Sequence, residues 1–144
     1  MSTRINIQQV EPAAFKAMYG LANYVQNSQV SKIHQHLIKI KASMINGCAF
    51  CINMHTREAK KDGETEQRIY LLSAWRETTL YTEEERAILA LTEEITSIQN
   101  HVSEETYKAA ERLFDANHLA QIIVAIVAIN AWNRIAITTE LPLD

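Results

Sequence analysis

Glycine and proline are scarce, with three glycines and two prolines in 144 residues. Both residues punctuate a chain into turns, so their rarity disfavours an architecture of many short strands and favours long helices. No Gly-, Pro- or Ser-rich linker, internal repeat or low-complexity tract divides the chain. A chain of this size buries about two thirds of the surface its unfolded form exposes, enough for one core. The expectation is a single all-α domain over residues 1–144, with residues 1–10 as an extended arm.

Positive charge is also lacking. Fourteen basic residues against seventeen acidic ones leave a net charge of −3, and no Lys/Arg cluster forms a stripe that would track phosphates, so nucleic acid is not an expected partner. The opening residues, Met1-Ser2-Thr3-Arg4-Ile5-Asn6, lack the apolar stretch of a secretory signal. The densest apolar run, Leu119 to Ile129, is broken by Gln121 and followed by Asn130, Asn133 and Arg134. That falls short of the ~20 apolar residues a bilayer requires and reads as a buried helix. A cytoplasmic, non-membrane protein is expected. Two cysteines in that compartment do not make a structural disulfide framework, so their spacing carries the meaning.

What is present is helical periodicity. Pro12 suits a first helical turn, and Phe15, Met18, Tyr19, Ala22 and Val25 recur at three- and four-residue steps. Ser31 is a plausible N-cap for a second helix with Ile33, Leu37, Ile40 and Met44 on one face, ending at Asn46-Gly47. A third begins at the cysteines, with Cys48, Cys51, Ile52, His55 and Ala59 on one stripe, and stops at Lys60-Lys61-Asp62-Gly63. A fourth spans about Thr65 to Trp75, and a fifth opens on the capping box Thr82-Glu83-Glu84-Glu85. Ser103 starts a sixth, and Asn117 is the expected cap of an apolar last helix.

Cys48 and Cys51 lie one helical turn apart. This sets their α-carbons at roughly 5 Å, within the ~4.4–6.8 Å a disulfide accepts, so the pair can close and open reversibly. The helix N-terminus favours a thiolate at Cys48. His55, four residues beyond Cys51, shares its face and can exchange a proton with that thiol, and Glu58 can orient the imidazole. The residues alone leave open which thiol attacks first, because the helix dipole favours Cys48 and the histidine favours Cys51. A thiolate that attacks a hydroperoxide becomes a sulfenic acid, which a neighbouring thiol condenses into a disulfide, and an external dithiol must then reduce it.

The stretch from Ile38 through Asn46-Gly47-Cys48-Ala49-Phe50-Cys51-Ile52-Asn53-Met54-His55 to Ala59, with Gly63-Glu64-Thr65-Glu66-Gln67-Arg68, Ala74-Trp75-Arg76-Glu77-Thr78 and Ile129-Asn130-Ala131-Trp132-Asn133-Arg134, resembles the AhpD-like alkylhydroperoxidase branch of the carboxymuconolactone decarboxylase family. The resemblance implies a helical subunit assembling into homotrimers or homohexamers. It also implies peroxidase or disulfide-reductase chemistry with a hydroperoxide substrate and an external dithiol or thioredoxin-like reductant. It assigns the peroxidatic role to Cys51, the resolving role to Cys48 and a proton-relay role to His55. A relay glutamate twelve residues before the first cysteine is replaced here by His36. A neutral imidazole can pass a proton but supplies no fixed negative charge.

The competing reading is a non-enzymatic redox sensor or metal-binding module, with Cys48, Cys51, His55 and either His34 or His36 as ligands. Seven residues of helical rise, ~10 Å between Cys48 and His55, are long for one tetrahedral ion with bonds of ~2.0–2.3 Å. No metal or cofactor is therefore assigned. Asn130, Asn133 and Arg134 are expected to be structural, and Trp75 and Trp132 to belong to the core.

Overall fold

The computed structural model describes residues 4–143. Eight α-helices follow in order: α1 (Ile7–Val10), α2 (Pro12–Gln26), α3 (Lys32–Asn46), α4 (Ala49–Lys61), α5 (Glu66–Tyr70), α6 (Glu83–Thr96), α7 (Glu104–Leu113) and α8 (Ala116–Thr139). Short 3-10 segments, Leu71–Glu77 and Ile98–Asn100, join them, and no strand occurs among the described residues. The all-α expectation holds.

Side-chain caps fix most helix starts. Ser31, Thr65 and Ser103 accept the backbone N–H groups of His34, Arg68 and Thr106, and Thr82 with Glu85 forms the reciprocal capping box. Three expectations need correction. Within the presumed extended arm, residues 7–10 form one helical turn capped by Asn6; Met1 to Thr3 lie outside the described residues. The helix expected from Thr65 to Trp75 is α-helical only to Tyr70 and continues as the 3-10 segment Leu71–Glu77, inside which the backbone leaves helical geometry at Ala74 (φ −128°, ψ 30°). The last helix is capped by Asp115, whose carboxylate accepts the His118 N–H at 2.8 Å, and Asn117 sits inside its first turn.

Helix α3 is the hub and is buried on two sides. Leu37 and Ile40 pack with Ala59, Ile69, Leu72, Trp75 and Leu89, and Ile33 and Met44 flank that cluster. Ile38 and Ala42 face the larger cluster of α6 and α8, which contains Ile88, Leu91, Ile122 and Ile126. The single apolar stripe read from the sequence is therefore only half of what α3 buries.

Helix α8 also departs from expectation. It runs 24 residues, with a mean hydropathy of 1.6 in its most apolar window, so by length and composition it is long enough to cross a membrane. Here it packs against α2, α3 and α6. It continues beyond Ile129 because its polar residues find partners. Asn46 Nδ2 donates to Asn130 Oδ1 (3.0 Å) and Asn133 Oδ1 (2.9 Å), while Asn133 donates to Ser43 Oγ and Asn130 to Thr96 Oγ1. Buried amides left without such partners would cost roughly 1–3 kcal/mol each. The network ties α8 to the end of α3, immediately before the cysteines.

Candidate active site

The first cysteine is placed by the turn that ends α3. Gly47 is left-handed (φ 70°, ψ 34°), a conformation glycine enters without a Cβ penalty, and the Cys48 N–H returns to Ser43 O at 3.0 Å. Cys48 is the N-cap of α4, one residue earlier than a first-turn position, and its Sγ accepts the Cys51 N–H at 3.3 Å. The two form a disulfide with a Cα–Cα separation of 5.3 Å, as the one-turn spacing requires. Both are almost fully buried, against Ala136 of α8 with Phe50 and Leu141 alongside.

The two sulfurs are not equivalent. A cavity of about 470 Å³ opens between α1, α2, α4 and α8; Cys51, His55, Glu58 and Lys39 line it, and Cys48 does not. His55, buried one turn beyond Cys51, donates from Nδ1 to Glu58 Oε2 at 2.9 Å. That bond fixes the neutral ring as the tautomer with Nε2 free to accept a proton. The same hydrogen bond is the main reason the Glu58 carboxyl lies below the usual carboxylate range; partial burial opposes the shift, and the nearby charges of Lys39 and His36 assist it. The contact expected between Glu58 and the imidazole is present.

His36 is brought to the edge of this group rather than into it. It is buried on α3 and its Nε2 meets Asp62 Oδ2 at 2.7 Å, past the end of α4. It does not line the cavity, although it lies within electrostatic reach of Glu58. Its Nδ1 is buried with no hydrogen-bond partner. Asp62 is held below the ordinary carboxyl range first by the His36 hydrogen bond and then by Lys32. Among the described residues, no group of three or more His, Cys, Asp or Glu side chains is arranged to hold a metal ion.

Two features escaped the sequence. Lys39, one turn beyond His36 on α3, lines the cavity, and burial pushes its ammonium pKa down despite the nearby carboxylates Glu58 and Asp62. Its i, i+3 relation to His36 was the available signal. The second is the aromatic wall. Phe15, Tyr19 and Trp132 meet edge to face with centroids 5.1–5.7 Å apart, and all three line the cavity. The stripe of α2 is thus largely a cavity wall, and Trp132, assigned to the core from sequence, belongs to that wall as well. Trp75 is buried in the core as expected.

The profile of the carboxymuconolactone decarboxylase family matches residues 12–94. Over 138 residues the chain is 43% identical to the uncharacterized protein YdfG of Bacillus subtilis (strain 168), covering 95% of this chain and 94% of that one. It is also similar to a crystal structure of a protein of unknown function from Agrobacterium tumefaciens, designated a candidate AhpD antioxidant-defence protein. The TM-score is 0.95 at 44% identity, covering 99% of this chain and 98% of that one. An uncharacterized peroxidase-related protein from Ralstonia eutropha JMP134, described as an alkylhydroperoxidase AhpD core, has a TM-score of 0.82 at 16% identity, over 95% of this chain and 74% of that chain. At that identity the likeness is one of fold.

Proposed function

Because the chain belongs to the carboxymuconolactone decarboxylase family and has an AhpD-like fold with a disulfide between its two cysteines, we propose that it is a thiol-dependent peroxidase or dithiol–disulfide oxidoreductase of antioxidant defence. The observation that carries this reading is that Cys51 lines the cavity beside the His55–Glu58 pair.

In the reduced form, His55 Nε2 takes the Cys51 proton and the thiolate attacks one oxygen of a hydroperoxide. The O–O bond breaks, the alkoxide leaves as an alcohol with the proton from His55, and Cys51 becomes a sulfenic acid. The Cys48 sulfur then attacks Cys51 Sγ, water leaves, and the disulfide closes across one helical turn. An external dithiol or a thioredoxin-like protein supplies two electrons and two protons to reopen it. Glu58 holds the imidazole, and His36 with Asp62 forms the outer end of the proton relay. That Cys51 lines the cavity and Cys48 does not supports the attacking role for Cys51.

A homotrimer or homohexamer in the cytoplasm completes the proposal. Tyr24, Val127 and Ile137 are exposed on α2 and α8, where a second subunit would cover them. Titrating free thiols before and after one equivalent of cumene hydroperoxide tests the chemistry. Reduced protein should fall from two thiols to none with release of one equivalent of alcohol, and an unchanged count of two overturns the reading.

A further inference from the structure

The cavity is far larger than hydrogen peroxide requires. Its volume of about 470 Å³ falls in the ~300–1,000 Å³ range of sites that enclose whole organic ligands. A water-sized molecule takes up only ~30 Å³ and would leave the walls unused. Those walls are Phe15, Tyr19, Trp132, Met54, Ile129 and Ile135, with the three aromatic rings forming a corner that an apolar chain or another ring can fill.

Charge on the lining is sparse and unequally matched. Glu58 is the one carboxylate among the described lining residues, and His55 already engages it. Asp62 is taken by His36 and Lys32. The Lys39 ammonium feels both carboxylates, yet among the described residues it makes no ion pair or hydrogen bond of its own. A half-buried cation without contacting partners favours a ligand that brings the anion. Asn6, Gln8 and Thr139, the remaining polar lining residues, are neutral.

We propose that the substrate of this cavity is an amphipathic carboxylate, an organic hydroperoxide with an apolar aryl or alkyl body against Phe15, Tyr19 and Trp132 and one anionic end received by Lys39. This rests on the cavity being the substrate site of the proposed peroxidase. Lys39 then determines specificity, and the body supplies binding energy that holds the peroxide against Cys51.

The test uses unreactive probes, so it does not depend on turnover. Phenylbutyrate and its neutral counterpart phenylbutanol are titrated into the reduced protein. Binding is followed by tryptophan emission and by protection of Cys51 from iodoacetamide, located by peptide mass. In wild type and in Lys39→Arg the acid should bind about tenfold more tightly than the alcohol, the size of one charge-assisted hydrogen bond. In Lys39→Met the two should bind alike, with retained binding of the alcohol showing that the cavity is intact. Equal binding of both probes by wild type, binding of neither, or an undiminished acid preference in Lys39→Met overturns the proposal. Failure of every hydroperoxide to oxidise Cys51 would instead strike the peroxidase reading and leave these binding results standing.

Discussion

Two ionic clusters in this bundle are built from similar side chains and differ in where their valences end. In the first, Arg68 Nε meets Glu64 Oε1 and Arg68 Nη2 meets Glu85 Oε1, each at 2.8 Å. Glu64 also accepts the Thr65 N–H and Glu85 the Thr82 N–H, while the Tyr81 hydroxyl donates to Arg68 O. The Glu64 and Glu85 side chains are only 3% and 7% exposed. The second cluster, His55, Glu58, Lys39, His36 and Asp62, keeps acceptors and a cation unspent, and it opens on a cavity beside a sulfur. The lesson is that a closed set of charges ties helices together, whereas an open set leaves a proton acceptor available for chemistry.

The comparison can be broken from either side. The largest effect is expected at the sulfur that only the open cluster serves. Cys51→Ser should abolish peroxide turnover, while Cys48→Ser should still consume one equivalent and stop at a sulfenic acid trapped by dimedone. Turnover surviving in Cys51→Ser with loss in Cys48→Ser would exchange the two roles.

Next in size is Arg68→Met in the closed cluster. It strands two buried carboxylates and should cost about 3–5 kcal/mol in urea unfolding. At temperatures where the variant is folded, its rate of peroxide-driven thiol loss should match wild type. A large loss of rate in folded Arg68→Met would mean that the two clusters are not separate.

Glu58→Gln should slow Cys51 oxidation by roughly ten- to a hundredfold, since the amide cannot stabilise the imidazolium that forms on His55. Its effect on stability is smaller and depends on pH. The Glu58 carboxyl is held below its ordinary value of 4.5, so the stabilisation is complete above that pH and fades as the pH falls through the lowered folded value. With the side chain 45% exposed, solvent screening limits the contribution to about 0.5 kcal/mol. Unfolding of wild type and Glu58→Gln across acid pH should show the gap closing on acidification.

The smallest effect belongs to His36. At the outer end of the proposed relay, His36→Gln should lose only about three- to tenfold in rate, below the ~10²–10⁴-fold of a group that transfers the proton directly. A loss as large as that of Glu58→Gln would move His36 into direct contact with the chemistry.

The legible part of this molecule was local. The caps at Ser31, Thr82 and Ser103, the glycine turn at Gly47, and the one-turn spacing of Cys48, Cys51, His55 and Glu58 all follow from rules that act over three or four residues, and each is found as read. The errors were of two kinds. Where two local signals compete, the nearer geometry won, as with Asp115 displacing Asn117 as the cap of α8. Where a residue's surroundings depend on a distant partner, nothing local names that partner. Asn130 and Asn133 were expected to be structural, and only the packed bundle identifies Asn46 and Ser43 as the partners that meet them.

The cysteine pair itself shows the division most clearly. Sequence alone determined that Cys48 and Cys51 can form a disulfide at a helix start with a histidine one turn beyond, because the backbone hydrogen bonds of a helix fix those distances without outside help. Which of the two cysteines lines a cavity was decided only by tertiary packing. Helices α1, α2 and α8 come from both ends of the chain to build the cavity at Cys51, while the turn out of α3 keeps Cys48 behind it. The same packing made a wall of Phe15 and Tyr19 from the α2 stripe together with Trp132, which had been expected in the core, and placed Lys39 on the lining, since long-range contacts govern which face of a helix becomes interior and which becomes a site.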